Sequence, residues 1–316
     1  MRLAVLGAGA VGGAVLDLAG DYGHQVVVVA DSVSAAVDPA GLDASTVRDR
    51  KDREGAVGER DPEAALDAEY DVLVEATPTT LGNAEPAFGH AARALERDRH
   101  VVFANKGPVA ERYEELRQLE ADSGGQVRFE ATVGGAIPAV TTVQDHGPAH
   151  VTAVRGVLNG TANFILSRMA AEGLGYDHVL AEAKDLGVAE ADPTFDVDGT
   201  DAALKCVILA NVLADGGFSL EDAAVEGIQD LPGSALELAA EDGRTVRLIG
   251  EATRDHVRVG PRLVPQHGTL AVGGTLNIVQ IETEDGGRLN LSGAGAGGPE
   301  TATAVLADVG RLPDTD

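Results

Sequence analysis

The chain has 316 residues, 44% of them hydrophobic, with 51 acidic against 24 basic side chains and a formal net charge of −27. That balance describes a folded chain under an acidic coat and excludes nucleic acid as an expected partner; with only four lysines against 20 arginines and no Trp, it resembles proteins of a salt-saturated cytoplasm. The length accommodates two domains, no apolar run approaches the roughly 18 residues of a membrane span, and the single cysteine, Cys206, excludes an internal disulfide and fits a reducing, cytoplasmic setting.

In chain order, apolar runs at 3–6, 26–30, 72–75 and 101–104 alternate with helical patterns at 11–18 and 84–95. Alternation at that spacing predicts βαβ units and a parallel sheet. Residues 31–71 break the pattern, and the charged run 48–54 within them reads as loop plus a solvated helix. A helix over 111–121 and a strand over 127–131 finish a first domain, 1–132. A strand near 151–158 and helices over 162–171, 177–186 and 201–214 open a second, 133–292. From 245 to 291 the period shifts towards two, with β-rich runs at 257–264 and 276–282, which predicts an antiparallel or mixed sheet. The tail, 293–316, starts with the glycine run Gly293-Ala-Gly-Ala-Gly-Gly298 and continues into a helix over 300–311, expected to return to the first domain.

Gly7-Ala-Gly-Ala-Val-Gly12 follows the first strand and opens the first helix, the context in which this spacing is informative. Gly7 permits the tight turn, Gly9 lets the backbone approach a pyrophosphate, and Gly12 lets helix pack on strand. The helix start, with Ala10 and Val11, supplies unpaired N–H groups and a partial positive charge to the phosphates. Asp31 lies 19 residues past Gly12 at the end of the second strand, where a carboxylate accepts from a ribose diol. The fold class is therefore α/β: an N-terminal Rossmann dinucleotide-binding domain followed by an α+β domain. A carboxylate at 31 favours NAD, whereas Arg48, Arg50, Lys51 and Arg53 follow closely and could fold over the 2′-phosphate of NADP. The choice stays open, leaning to NAD.

Two of the lysines close the densest motifs in the chain: Lys106 in Val101-Val-Phe-Ala-Asn-Lys-Gly-Pro108, and Lys205 at the end of the acidic run that starts at Glu190. Asp201 and Lys205 are four apart on a predicted helix and share one face. Glu190, Asp192, Asp196 and Asp198 precede them on a loop containing Pro193. An ammonium among carboxylates suits a general acid that protonates an oxyanion as hydride arrives at a carbonyl. The plainer reading of the same pattern is a solvated acidic loop with one helix salt bridge. For Lys106 it is a strand-end residue before a proline-opened helix.

Glu190-Ala-Asp-Pro, followed by Asp196, Gly199, Asp201 and Lys205, resembles the signature of homoserine dehydrogenases. So do Ala104-Asn-Lys-Gly-Pro108, Glu130-Ala-Thr-Val-Gly-Gly-Ala-Ile-Pro138, Gly156-Val-Leu-Asn-Gly-Thr-Ala-Asn163 and Gly293-Ala-Gly-Ala-Gly297. The resemblance runs from residue 3 to about residue 312. It implies NAD(P)-dependent interconversion of L-homoserine and L-aspartate 4-semialdehyde, on the route to threonine and methionine. By the same resemblance, Lys205 is the proton donor to the aldehyde oxygen, Glu190 and Asp201 hold the substrate amino group with Asp196 beside them, and Asn159, Gly160 and Thr161 border the substrate pocket. Lys106 sits near the nicotinamide and the reacting carbon, while Thr77, Gly187 and Gly297 line the cofactor. A monovalent cation, Na⁺ or K⁺, falls to Glu130, Val133, Gly135 and Ile137, and backbone oxygens suit such a hard, weakly charged ion. The second domain is expected to form a homodimer, with a higher homo-oligomer as the alternative.

Many members of that family continue into a C-terminal regulatory domain, which is not expected here. Ala162 and Phe164 stand where Thr and Tyr are common, which removes hydroxyls beside the substrate loop. The eight histidines lie singly, with no helical pair at metal-ligand spacing, so zinc chemistry is not supported. Cys206, on an apolar helix run, reads as core rather than as a nucleophile. Two alternatives stand beside the main reading: a cofactor-binding sensor without turnover, and an amino-acid dehydrogenase of similar plan acting on aspartate.

Overall fold

Runs of valine and leucine build the first sheet. β1 (Arg2–Leu6) leads into α1 (Ala10–Leu18), β2 (Gln25–Ala30), β3 (Ala35–Val37), α2 (Ala44–Glu54), α3 (Ala64–Asp67), β4 (Val72–Glu75), α4 (Ala87–Leu95), β5 (His100–Phe103), α5 (Gly107–Glu111), α6 (Tyr113–Ala121) and β6 (Val127–Arg128). The sheet order is β3-β2-β1-β4-β5-β6. All pairs are parallel except β2 with β3, which gives a Rossmann sheet with an antiparallel edge. Every residue of β4 and β5 is buried, which is why Val72–Val74 and Val101–Phe103 read as apolar runs; Glu75 and His100 are the buried polar ends of the two strands. Strand order reverses between β1 and β4, so the topology provides a ligand crevice at the carboxyl ends of those two strands.

The computed structural model describes residues 1–313. The chain falls into two compact units, Met1–Ala136 joined by the chain from Ala296 onward, and Ile137–Gly295. The second unit contains α7 (Ala139–His146), β7 (Val151–Val157), α8 (Gly160–Glu172), α9 (Tyr176–Asp185), α10 (Thr194–Val197), α11 (Thr200–Ala214), β8 (Ala223–Val225), α12 (Gly233–Glu241), β9 (Arg244–Ala252), β10 (Val257–Pro265), β11 (Leu276–Thr283) and β12 (Gly287–Ala294). Its sheet, β12-β11-β7-β9-β10-β8, is mixed: β8 runs parallel to β10 and the other pairs are antiparallel. α11 packs on β9 and β10 and is buried from Asp201 to Leu213, so it is a central core helix rather than an amphipathic surface one. In the first unit, α13 (Gly298–Val309) packs on α1, with Ala302, Val305, Leu306 and Val309 joining the core of Leu3, Val5 and Val15. Full burial of each of the Val and Leu side chains contributes about 1.5–3 kcal/mol, and of the Ala302 methyl about 0.8 kcal/mol.

Several elements differ from the sequence expectation. The strand expected over 127–131 stops at Arg128, and a 3₁₀ turn, Glu130–Thr132, replaces it. The backbone N–H of Glu130 donates to the Asp308 carboxylate at 2.8 Å instead of to a neighbouring strand. The helix expected over 111–121 is broken at Arg112, whose φ of −133° leaves the helical region, giving α5 and α6. β12 reaches Ala294, so Gly293 belongs to a strand and not to the terminal glycine loop. Residues 31–71 hold β3 and α3 besides the charged helix α2, tied down where the Ser34 hydroxyl accepts from the N–H groups of Val57 and Gly58. α7 and α12 carry no strong apolar stripe in the sequence. Among the described residues no helix is long and apolar enough to cross a membrane.

One face of the second sheet carries an ion-pair network. Arg155 on β7 pairs with Glu251 on β9 at 3.1 Å and with Glu282 on β11, while Arg288 and His256 hold the far sides of the two carboxylates. Burial pushes both carboxyls up, but Arg155 and the second partners outweigh it and hold Glu251 and Glu282 below the usual range. A depressed carboxyl contributes stability above its unfolded value and loses it as pH falls through its folded value. Arg155→Met is therefore expected to be less stable than wild type at pH 7, with the gap closing as pH drops below about 4; urea titrations from pH 7 to pH 3 measure it.

Candidate active site

Each glycine of the N-terminal loop meets a different constraint. Gly7 has φ +95°, and a Cβ there would stand 2.3 Å from the Ala76 carbonyl oxygen at the end of β4. A Cβ at Gly12 would stand 1.8 Å from the Gly7 oxygen, so only glycine lets α1 pack against its own loop. Gly9 has no heavy atom within 4 Å of an added Cβ: its freedom serves nothing inside the chain and leaves open space above the loop. Gly9 is also the N-cap of α1, with no side chain capping the helix and no acidic residue in the first turn of Ala10 and Val11. The start of α13 lies against this place, since a Cβ at Gly298 would stand 2.6 Å from the Ala10 oxygen, and Gly297 is its N-cap at φ +124°. Two helix N-termini thus meet at the crevice: α1, with no acid in its first turn, offers N–H groups and a partial positive charge that suit a pyrophosphate, while α13 carries Glu300 in its first turn.

Asp31 follows β2, as the spacing predicts. Its Oδ1 accepts from the N–H groups of Val33 and Ser34, both at 2.9 Å, and Lys51 donates to Oδ2 at 3.1 Å. Burial raises its pKa, but these donors outweigh it and hold the carboxyl below its ordinary value. Each residue of the basic cluster has its own partner within the first unit. Arg48 is engaged by Asp17 and the Gly13 carbonyl, Arg50 by Glu54 and Glu59, and Arg53 by the Asp49 carbonyl. Among the described residues of this cluster, Lys51 alone reaches Asp31.

At the other end of the crevice, Thr77 follows β4 and Lys106 follows β5. Asn105 ties the two loops: its Nδ2 donates to the Thr77 hydroxyl at 3.1 Å and to the Pro78 carbonyl at 3.0 Å, and its Oδ1 accepts from the Gly107 N–H. The Lys106 N–H donates to the Thr79 hydroxyl at 3.3 Å, and its side chain is half-buried. Asn105 had no assigned role in the sequence, although it stands inside the quoted motif.

In the second unit the structure gathers Asn159, Asp196, Asp201 and Lys205. Asn159 caps α8 through its Oδ1, which accepts from the Ala162 N–H, and its Nδ2 donates to Asp196 at 2.7 Å and Asp201 at 2.9 Å. The Lys205 ammonium, 7% exposed, donates to Asp201 at 2.7 Å and to the Leu158 carbonyl at 2.6 Å. The Leu158 carbonyl was invisible to sequence reasoning, since any residue supplies one. Thr161 donates to the Val188 carbonyl at 3.1 Å, and Gly160 sits where a Cβ would approach the Thr275 oxygen to 2.8 Å.

Other expected residues are not drawn into these clusters. Glu190 is exposed with no hydrogen bond or ion pair among the described residues. Gly187, at φ +69°, closes α9 with its N–H on the Lys184 carbonyl, a sufficient local reason for glycine. Glu130, 3% exposed, Val133 and Gly135 belong to the first unit and Ile137 to the second. Burial, with the Glu130 charge adding to it, pushes the neighbouring Asp308 carboxyl up to about 6. No group of three or more His, Cys, Asp or Glu able to hold a metal occurs among the described residues. Burial likewise pushes the Cys206 thiol up to about 12, which makes it a core group and not a nucleophile.

The glycine geometry separates folding from binding. Gly9→Val is expected to melt within a few degrees of wild type and to weaken NAD(P)H binding by about tenfold or more, whereas Gly12→Val should lose the fold of the first unit. Thermal melts and fluorescence titration of NAD(P)H distinguish the two, and a Gly9→Val protein that binds cofactor normally would contradict this reading of the loop.

Comparison with known proteins places these features in one family. Residues 7–130 match the family model for the homoserine dehydrogenase NAD-binding domain, and residues 138–309 match that for homoserine dehydrogenase. A homoserine dehydrogenase from Methanocaldococcus jannaschii is 39% identical over 295 residues, covering 90% of this chain and 88% of that one. An NAD(+)-dependent homoserine dehydrogenase from Pseudomonas canavaninivorans is 34% identical, covering 98% of this chain and 95% of the relative. Among solved structures, a hyperthermophilic archaeal homoserine dehydrogenase in complex with NADPH superposes with a TM-score of 0.83 at 27% identity, covering 98% of this chain and 96% of the other. With a Rossmann unit that carries the glycine loop and a second unit that carries the Asp201–Lys205 pair, the chain belongs to the homoserine dehydrogenases, NAD(P)-dependent oxidoreductases.

Proposed function

We propose that Lys205 is the proton donor and acceptor in the interconversion of L-homoserine and L-aspartate 4-semialdehyde. The observation that carries this is the fixing of its ammonium by Leu158 and Asp201, which uses two of three N–H donors and leaves one to point at a substrate oxygen. When bound, the nicotinamide supplies the hydride in reduction and receives it in oxidation. As the aldehyde oxygen gains charge, Lys205 passes it a proton; in the reverse direction the same amine takes the proton from the alcohol. Asp196 and Asp201 together set two carboxylates against one ammonium, and the surplus negative charge suits the substrate amino group, with Glu190 closing on it from its exposed loop. Asn159 orients both carboxylates, with Gly160 and Thr161 bordering the same pocket. Lys106 stabilises charge near the reacting carbon, and Thr77, Gly187 and Gly297 line the cofactor.

A held, ionised Asp31 favours the ribose diol of NAD, and Lys51, which donates to it, is a cation that could receive a 2′-phosphate on leaving Asp31. Glu130, a buried carboxylate, with the carbonyls of Val133, Gly135 and Ile137, fits Na⁺ or K⁺ in chemical character. We also place the enzyme in the cytoplasm of a halophile, as a homodimer formed through its second unit, working towards threonine and methionine. The surplus of 51 acidic over 24 basic residues supports the salt habitat.

Two assays test this. In molar salt, wild type should reduce NAD(P)⁺ with L-homoserine and not with L-aspartate, and Lys205→Ala should lose about a hundredfold or more in kcat. Turnover of aspartate alone would overturn the substrate reading, and a fully active Lys205→Ala the role of Lys205. For the cofactor, the ratio of kcat/KM for NAD⁺ over NADP⁺ should exceed one, fall about tenfold or more in Asp31→Ser, and rise in Lys51→Gln; ratios unmoved by both changes would contradict the assignment.

A further inference from the structure

Glu75 ends β4 completely buried, and both of its carboxylate oxygens are engaged. Oε1 accepts from the Thr77 N–H at 2.9 Å and from the Thr77 hydroxyl; Oε2 meets Nδ1 of His90 on α4 at 2.8 Å. The strand pairing accounts for the backbone alone, since the Glu75 carbonyl already accepts from the N–H groups of Ala104 and Asn105. A buried carboxylate at this position is therefore not required by the sheet. A fold that only needed an apolar strand end would have placed Val or Leu there, because burying a charge is costly unless its partners are fixed.

The consequence falls on Thr77. A hydroxyl has one donor and two acceptor sites. Its donor is spent on Glu75 and one lone pair receives Asn105 Nδ2, which leaves one lone pair. Thr77 is half-buried, at the mouth of the crevice between β1 and β4, so a ligand can reach it. Towards a ligand it can only accept. The cofactor group that needs an acceptor at the nicotinamide end is the carboxamide NH₂.

We infer that Glu75 is a positioning residue that fixes the Thr77 hydroxyl as an acceptor for the carboxamide N–H of the nicotinamide. The inference rests on the reading of the first unit as the dinucleotide site with Thr77 on its nicotinamide side. His90 holds the second oxygen and keeps the carboxylate from turning, and Asn105 fixes the hydroxyl from the opposite side.

The test compares binding of the reduced cofactor with that of its 3-acetylpyridine analogue, which keeps the carbonyl and lacks the N–H. Wild type should bind the true cofactor about tenfold more tightly, a gap of the size expected for an unmet hydrogen bond. The gap should collapse in Thr77→Val and in Glu75→Ala. It should persist in Glu75→Gln, whose amide oxygen still accepts from Thr77. A gap that persists in Thr77→Val, or that is absent in wild type, overturns the inference. If Glu75→Ala does not fold, Thr77→Val against Glu75→Gln decides the matter. ADP-ribose, which has no nicotinamide, serves as the reference: it should bind all folded variants equally. Failure of wild type to bind ADP-ribose would sink the dinucleotide reading itself, whereas ADP-ribose binding without an analogue gap sinks only the role of Glu75 and Thr77.

Discussion

A lysine ammonium 7% exposed must be compensated, and the second unit is arranged around that requirement. The four-residue spacing of Asp201 and Lys205 on α11 puts a carboxylate one turn away, and the loop after β7 brings the Leu158 carbonyl to the other side. Asn159, next in the chain, caps α8 with one end of its amide and grips Asp196 and Asp201 with the other. One asparagine thus couples a helix start, an acidic loop and the charged pair. Because α11 is buried along thirteen consecutive residues, Asp201 and Lys205 cannot drift without disturbing the core.

The first unit works by exclusion. Gly7 and Gly12 are demanded by contacts within the chain, while Gly9 is demanded by none, and this asymmetry separates the glycines that make the loop from the one that leaves room above it. The two helix starts of α1 and α13 add N–H donors at the same place. Asp31 and Lys51 at one end, Thr77 and Asn105 at the other, then give the crevice distinct polar ends.

Much of this was legible in the sequence because it is local. The glycine spacing, the acid after the second strand and the i,i+4 pair depend on neighbours a turn or a strand away. The alternation of apolar runs likewise gave the Rossmann strands, whose burial on both faces leaves continuous valine stretches. What could not be read depends on distant partners. Glu130 turns out of its strand because Asp308, 178 residues further on, accepts from its N–H. Arg48 and Arg50 read only as a basic run, and nothing in the sequence announces Asp17, Glu54 and Glu59 as their partners. Glu75 reads as the polar end of a strand, and nothing in its neighbourhood announces His90 as its partner. Glu190, prominent in the motif, is left exposed, so its proximity in sequence to Asp201 did not translate into contact.

The central claim is that Lys205 moves a proton and does not merely supply charge. Its most direct test is chemical rescue of Lys205→Ala by small primary amines of graded basicity. Proton transfer predicts that turnover of L-homoserine returns with added amine, by about tenfold or more, at rates that track amine basicity. A variant that no amine restores, while Lys205→Arg runs at the wild-type rate, would show that fixed positive charge suffices and would contradict the account.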